Sequence, residues 1–452
     1  MYKILHIVPH MGGGVGRVLR NFIGSSHEQE DFFHQLICLD YANNDTKEWS
    51  KKFGIELFEN GITDYQLLES KIKETDIVHI HFWNHPLLYR FLSIDSFPQF
   101  RAVIWSHVNG HHPPNIFTDQ VLLYPDFFVI STEYSLSSDA IKRQTVEWRE
   151  KNLKLVFETA GYEHVEGVHH LDHSFFNIGY IGTVSYSKMH RDFLEICYSI
   201  QIPDKKFIVC GGDDHNHLQK EADDKGYLNI FDFTGPLKNI KPILSKLDVF
   251  GYPLCKENYG TGEQVLIEAM ACGVVPVVLD NGPERFIVEQ YKSGIVASTI
   301  EEYQKAIEFL YYNPNIRQKM AEYAIDQVIH KMSIKKTRNR WHKIYRELLK
   351  IPQKNHVLKD SNNNPINHPN MGCKLFLLSL GETKISHLYS NLLSLPNNRD
   401  IHTLGITESM SPIFCSPSKG SVFHYFSFFP DDMQLKTLCD LTNSICKGKN
   451  NL

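Results

Sequence analysis

ENYGTGEQVLIEAMACGVVPVVLDNGPERFIV, residues 257–288, runs from a glycine turn through a helical period into an apolar run and a second turn. Gly260, Thr261 and Gly262 lead from a strand end into a helix predicted over 262–272, and a buried strand is predicted over 274–279. Glu263 falls in the first helical turn and Glu268 in the second, five positions on, so the two do not share one face. Backbone N–H groups at a helix start hold a diphosphate, and glycines let it approach. A carboxylate about one turn further on accepts two ribose hydroxyls. A lone helical Glu is ordinarily a solvated charge. Glu268, set among Leu266, Ile267, Ala269 and Met270, is the less ordinary case.

The same rhythm extends in both directions. Buried-strand candidates stand at 4–8, 35–39, 76–82, 102–105 and 127–131, and the series restarts at 177–181, 206–210 and 248–252. Helical candidates at 15–23, 300–311 and 315–349 alternate with them. Alternating strands and helices argue for parallel α/β sheets, here two doubly wound domains facing each other. The expected division is an N-terminal domain over 1–165 and a C-terminal domain over 166–350. Residues 351–372, rich in Pro, Asn and Lys, read as a linker, and 373–452 as an accessory segment of unassigned role.

Composition narrows the class. The 452 residues are 42% hydrophobic and 22% charged with net charge −5, which describes a globular chain and not a basic nucleic-acid binder. Nine cysteines are scattered without a C-x-x-C pair, the pattern of reduced thiols in a cytoplasmic protein. No apolar run reaches the ~20 residues of a membrane span, which leaves peripheral association as the form any membrane contact would take.

His10-Met11-Gly12-Gly13-Gly14-Val15-Gly16-Arg17 follows the first strand and opens a helix. Gly13 and Gly14 are ligand-contacting candidates there, although the spacing fails Gly-x-Gly-x-x-Gly and so counts against a dehydrogenase.

With these segments in hand, the chain resembles the family 4 glycosyltransferases, retaining enzymes of the GT-B fold. Glu268-Ala269-Met270-Ala271-Cys272-Gly273 and Pro276-Val277-Val278 are similar to the second half of the family signature. The resemblance implies that Glu268 binds the donor ribose. Where the family has its first glutamate, eight residues upstream, this chain has Gly260, and Glu263 is the nearest carboxylate. Gly179 to Lys188 is similar to the segment opening the family's second domain, where an arginine and a lysine neutralise the diphosphate. Lys188 fits the lysine, whereas Thr183 replaces the arginine. Arg17 matches the arginine after the family's glycine loop, and Glu284 a family glutamate.

Trp105 to Pro113 contains His107, His111 and His112. The family often carries a first-domain histidine near the reacting sugar, a role the resemblance gives to His107. No metal site is expected from these histidines or from His164, His169, His170 and His173, because no fourth ligand or ordered spacing accompanies them. Asp213-Asp214 reads as a turn. The catalytic expectation is therefore His107, Lys188 and Glu263. Donor binding falls to Gly13, Gly14, Lys188, Gly260, Thr261, Gly262, Glu263 and Glu268. The implied reaction moves a sugar from a nucleotide diphosphate donor to a glycan or glycolipid acceptor without cofactor or required Mg²⁺. A non-catalytic sugar-nucleotide-binding scaffold and a GT-B epimerase or phosphorylase are the alternatives.

Overall fold

The computed structural model describes residues 1–27, 31–212, 214–360, 364, 366, 372–394 and 413–447. They form two compact units, one of residues 1–158 with 337–452 and one of residues 159–336. The first holds seven strands: β1 (Tyr2–Val8), β2 (Phe32–Cys38), β3 (Glu56–Phe58), β4 (Ile77–Phe82), β5 (Ala102–Ser106), β6 (Phe127–Ile130) and β7 (Leu153–Leu155). They lie in the order β3-β2-β1-β4-β5-β6-β7, parallel throughout. The second holds β8 (Phe176–Ile181), β9 (Lys205–Cys210), β10 (Phe231–Gly235), β11 (Val249–Tyr252), β12 (Val275–Leu279) and β13 (Ile295–Ala297), ordered β10-β9-β8-β11-β12-β13.

Strands such as β4, β5 and β8 are buried along their whole length, so they read as unbroken apolar runs. Each is followed by a helix or turn that returns the chain to the same end of the sheet. Strand order reverses between β1 and β4 in one sheet and between β8 and β11 in the other. These are the switch points where open α/β sheets take ligands. The two doubly wound sheets are those of the GT-B architecture.

The chain departs from the sequence expectation in four places. The helix expected over 315–349 is two, Pro314–Lys331 and Ile334–Leu348. The second joins the first unit because Trp341, Tyr345 and Leu348 are fully buried there, so the division falls at 158/159 and 336/337 and not at 165 and 350. Residues 351–358 are no free linker. Phe100 and Lys354 exchange backbone bonds, Leu358 N–H donates to Leu92 O at 2.7 Å, and His356 sets both ring nitrogens on carbonyl oxygens of Tyr124 and Phe100. Polar composition hid a segment whose polar groups are satisfied by the domain it crosses. Cys415 and Cys446 form a disulfide, against the expectation of nine reduced thiols; the other seven are free. Asp213 of the expected turn lies outside the described residues.

The C-terminal helices Gly372–Leu380, Lys384–Ser394, Val422–Phe428 and Met433–Lys447 build a small cluster in the first unit. Phe376 packs against Tyr389 and Tyr425, each at 5.2 Å between centroids. Tyr425 O–H donates to Asn84 Oδ1 at 2.8 Å, which ties the cluster to the loop after β4. Among the described residues no helix is long and apolar enough to cross a membrane.

Candidate functional site

In the second unit, the loops after β8 and β11 meet at the switch point. Lys188 comes from the first loop, fixed where its carbonyl accepts from Cys255 N–H at 2.8 Å. Tyr252 ends β11, and Asn258 to Glu263 follow it. Glu263 is the hub. Its Oε2 accepts from Lys188 Nζ at 2.9 Å and Tyr252 O–H at 3.0 Å, and its Oε1 from Asn258 Nδ2 at 3.2 Å. Burial would push the Glu263 carboxyl up, but Lys188 and these donors hold it below the usual carboxylate range. Burial would likewise pull the Lys188 ammonium down, and Glu263 outweighs it and raises it. Both groups are charged at neutral pH.

The sequence spacing puts Glu263 on the first turn of the helix. It is instead the residue before the helix Gln264–Ala271, with its side chain folded back over the glycine turn. A Cβ on Gly260 would lie 2.3 Å from Glu263 Oε1. The Glu263 carboxylate thus occupies the space that a side chain at 260 would take, which is how a glycine there and a glutamate three residues later fit together. Thr261 is buried and Gly262 half-buried in the same turn.

Glu268 is 2% exposed on the helix, and its Oε1 lies 2.9 Å from His164 Nε2. Nothing in the sequence separates His164 from the three scattered histidines that follow it. Glu284 is fully buried in the turn Pro283–Phe286; its Oε2 accepts from Asn281 N–H at 3.3 Å while Oε1 has no partner. Burial, with Glu263 adding to it, pushes this carboxyl up to about 8. Because the folded value lies above the ordinary 4.5, Glu284 leaves stability intact below pH 4.5 and removes it as pH rises toward 8. Glu284→Gln is therefore expected to match wild type at pH 4.5 and to exceed it at pH 8.5 by a few kcal/mol, since each tenfold change in proton affinity is worth about 1.4 kcal/mol. Urea denaturation at the two pH values measures this, and parallel curves would refute it.

In the first unit, four histidines cross one face of the sheet in a hydrogen-bonded row. His34 Nδ1 lies 2.8 Å from His6 Nε2, His6 Nδ1 2.9 Å from His81 Nε2, and His81 Nδ1 3.0 Å from His107 Nε2. His107 Nδ1 lies 2.8 Å from Glu158 Oε1. Burial drives His6 and His81 far below the usual histidine range, so they are neutral. With His6 and His81 neutral, each donates from one ring nitrogen and accepts at the other, so donation runs one way along the row. His79 stands beside the row, its Nδ1 2.7 Å from Tyr345 Oη. His107 sits after β5, the place expected for it, but its side chain is fully buried and both nitrogens are engaged. It offers neither to a ligand in this arrangement, which removes the ground for counting it as catalytic.

Gly13 and Gly14 are exposed at the start of the helix Gly13–His27, and a Cβ on either would meet nothing within 4 Å. Gly13 has φ of +62°, a conformation that favours glycine.

Two groups of three among the described residues bring metal-ligating atoms within 4.8 Å of one another: His6, His79 and His81, and His170, His173 and Asp248. His6 and His81 already use their nitrogens on each other and on their neighbours. Asp248 is within 3.4 Å of Arg317 Nη2 and accepts from Asn177 N–H.

The residues that sequence reasoning misses are Tyr252, Asn258, His164, His6, His81 and Glu158. His79 and His81 alternate in a strand otherwise apolar, and that is the available signal. Glu158 carries none.

Residues 166–327 match the family described as Glycosyl transferases group 1. No curated protein matches the chain in sequence. Among solved structures, a glycosyltransferase from Rickettsia africae is similar at TM-score 0.63 and 15% identity, covering 78% of this chain and 99% of that one. HepE from Anabaena, solved in complex with UDP, is similar at TM-score 0.61 and 14% identity over 76% of this chain and 100% of that one. The sucrose-phosphate synthase of Thermosynechococcus elongatus gives TM-score 0.60 and 13% identity, over 77% and 100%.

Proposed function

We propose that this chain, which carries a glycosyl transferases group 1 domain in a GT-B fold, moves a sugar from a nucleotide diphosphate donor to a glycan or glycolipid acceptor with retention of anomeric configuration. The observation that carries the reading is the pair of half-buried Lys188 and buried Glu263 at the second unit's switch point, with Glu268 on the helix that follows. Lys188 is a cation paired to Glu263, which Tyr252 and Asn258 also hold, and it is 27% exposed, so a diphosphate can reach it. The glycine turn at Gly260 to Gly262 and the helix start behind it add backbone donors. Together these stabilise charge developing on a leaving diphosphate without a metal ion. In this reading Glu268, with His164 against it, accepts ribose hydroxyls once His164 yields. The reading is of a hexosyl-type transferase of family 4 that works in the cytoplasm on polysaccharide assembly.

Thr183 and Gly260 favour a second reading, a subunit that binds sugar nucleotides without turnover. Product analysis decides among them. Transfer leaves a free nucleoside diphosphate and a sugar-modified acceptor, epimerisation or phosphorolysis leaves neither pair, and a scaffold leaves the donor intact. The first step is a thermal-shift screen against UDP, GDP, ADP and CDP, with and without Mg²⁺. Stabilisation by one of them names the base, and no shift with any would sink the transferase reading.

A further inference from the structure

The first unit has its own switch point, between β1 and β4, and the C-terminal cluster reaches into it. The loop between Cys415 and the helix Val422–Phe428 sets Lys419 Nζ 5.3 Å over the ring of Trp83, just after β4. Its seat is specific. Asn115 Nδ2 donates to Lys419 O at 3.2 Å, and a Cβ on Gly420 would lie 2.8 Å from Asn84 Nδ2, so the loop presses directly on the chain after β4. Trp83 is 2% exposed and its indole N–H has no partner. Beside it, His10 lies 5.3 Å away edge to face, and its Nδ1, also unpartnered, sits 3.5 Å from where a Cβ on Gly12 would be. A cation, an unsatisfied indole donor and an unsatisfied imidazole therefore gather at the glycine loop that opens the fifteen-residue helix Gly13–His27.

We propose that Lys419, brought by the C-terminal cluster, completes an anion-binding site with the glycine loop, Trp83 and His10, suited to a phosphate group. The helix start provides backbone N–H groups and a positive dipole end, and Lys419 provides the full charge. His10 is held to about 4, by burial first and by Lys419 second, so it is neutral and able to donate. This gives the accessory segment a role: it brings a cation to the first unit's own glycine loop. The phosphate belongs to the acceptor, and that assignment alone rests on the transferase reading.

The test is calorimetric titration of inorganic phosphate into the full chain, at fixed ionic strength, in a Lys188→Ala background that silences the second unit's cation. Adding Lys419→Gln is expected to weaken phosphate binding at least tenfold, and Lys419→Arg to restore most of it. Equal binding with and without Lys419, or no binding beyond a chloride control, overturns the site. UDP titration into Lys419→Gln alone then separates the sources. An unchanged UDP affinity assigns the site to the acceptor, and a matching loss overturns that assignment. Loss of UDP binding in Glu268→Ala with phosphate binding intact would leave this site standing whatever becomes of the transferase reading.

Discussion

Glu268→Ala is expected to erase the thermal stabilisation that nucleotide gives the wild type. A ligand at a hundredfold over its Kd adds about 2.7 kcal/mol, so the loss is easily read. The reason is geometric. Glu268 is a buried carboxylate on the helix behind the glycine turn, and no other carboxylate of that helix is available for ribose hydroxyls. Truncation removes both acceptor oxygens and leaves hydroxyls facing a hole, a loss that a hydrogen-bonding site feels far more than an apolar one. Glu268→Gln is the companion variant, since it keeps the shape and one acceptor and should retain partial binding. If Glu268→Ala shifts with nucleotide as wild type does, the ribose assignment is wrong.

Lys188→Ala is expected to lower turnover about 10²- to 10³-fold while changing nucleotide affinity by less than tenfold. Charge on the diphosphate grows as the sugar leaves, so the cation contributes most in the transition state. The substitution also strands Glu263, a buried carboxylate, and breaking such a pair costs on the order of 3–5 kcal/mol. That penalty has a sign in pH. Glu263 is held below its ordinary value when folded, so its contribution is present above that value and fades as pH falls through the depressed one. Lys188→Ala with Glu263→Gln removes the stranded charge, and Glu263→Gln alone is the reference against which the loss of Lys188 is read. Steady-state rates and nucleotide affinities of these variants provide the check. Unchanged turnover in the double variant relative to Glu263→Gln would take Lys188 out of the chemistry.

Much of the architecture is legible because parallel strands buried on both faces are apolar throughout, and nine strands can be read from the sequence to within about three residues. The strands that escape, β3, β7 and β13, are three residues each, too short to carry a period, and β10 alternates on an edge. Site residues divide along the same line. Lys188 and Glu263 lie in turns, and Glu268 on the helix after one, whose glycines and spacing advertise themselves. His107 is found by position, yet its chemistry depends on His81 and Glu158, which are 26 and 51 residues away and engage both its ring nitrogens. Nothing local in the sequence announces that coupling. The same holds for Lys419, whose position depends on how residues 413–447 pack against a loop more than three hundred residues earlier.

The return of the chain to the first unit has a consequence for biosynthesis. The second unit is a single stretch, whereas the first sheet is finished only when the helix Ile334–Leu348 lays Trp341 and Tyr345 over His79 and Phe32. About 190 residues must be translated between the last strand of that sheet and its cover, on the order of ten to forty seconds at cellular elongation rates. During that interval a nascent half-protein shows the ribosome's surroundings an uncovered face of histidines and aromatic rings. The later-made unit can close before the earlier one, and this is the window in which a chaperone would be expected to matter most.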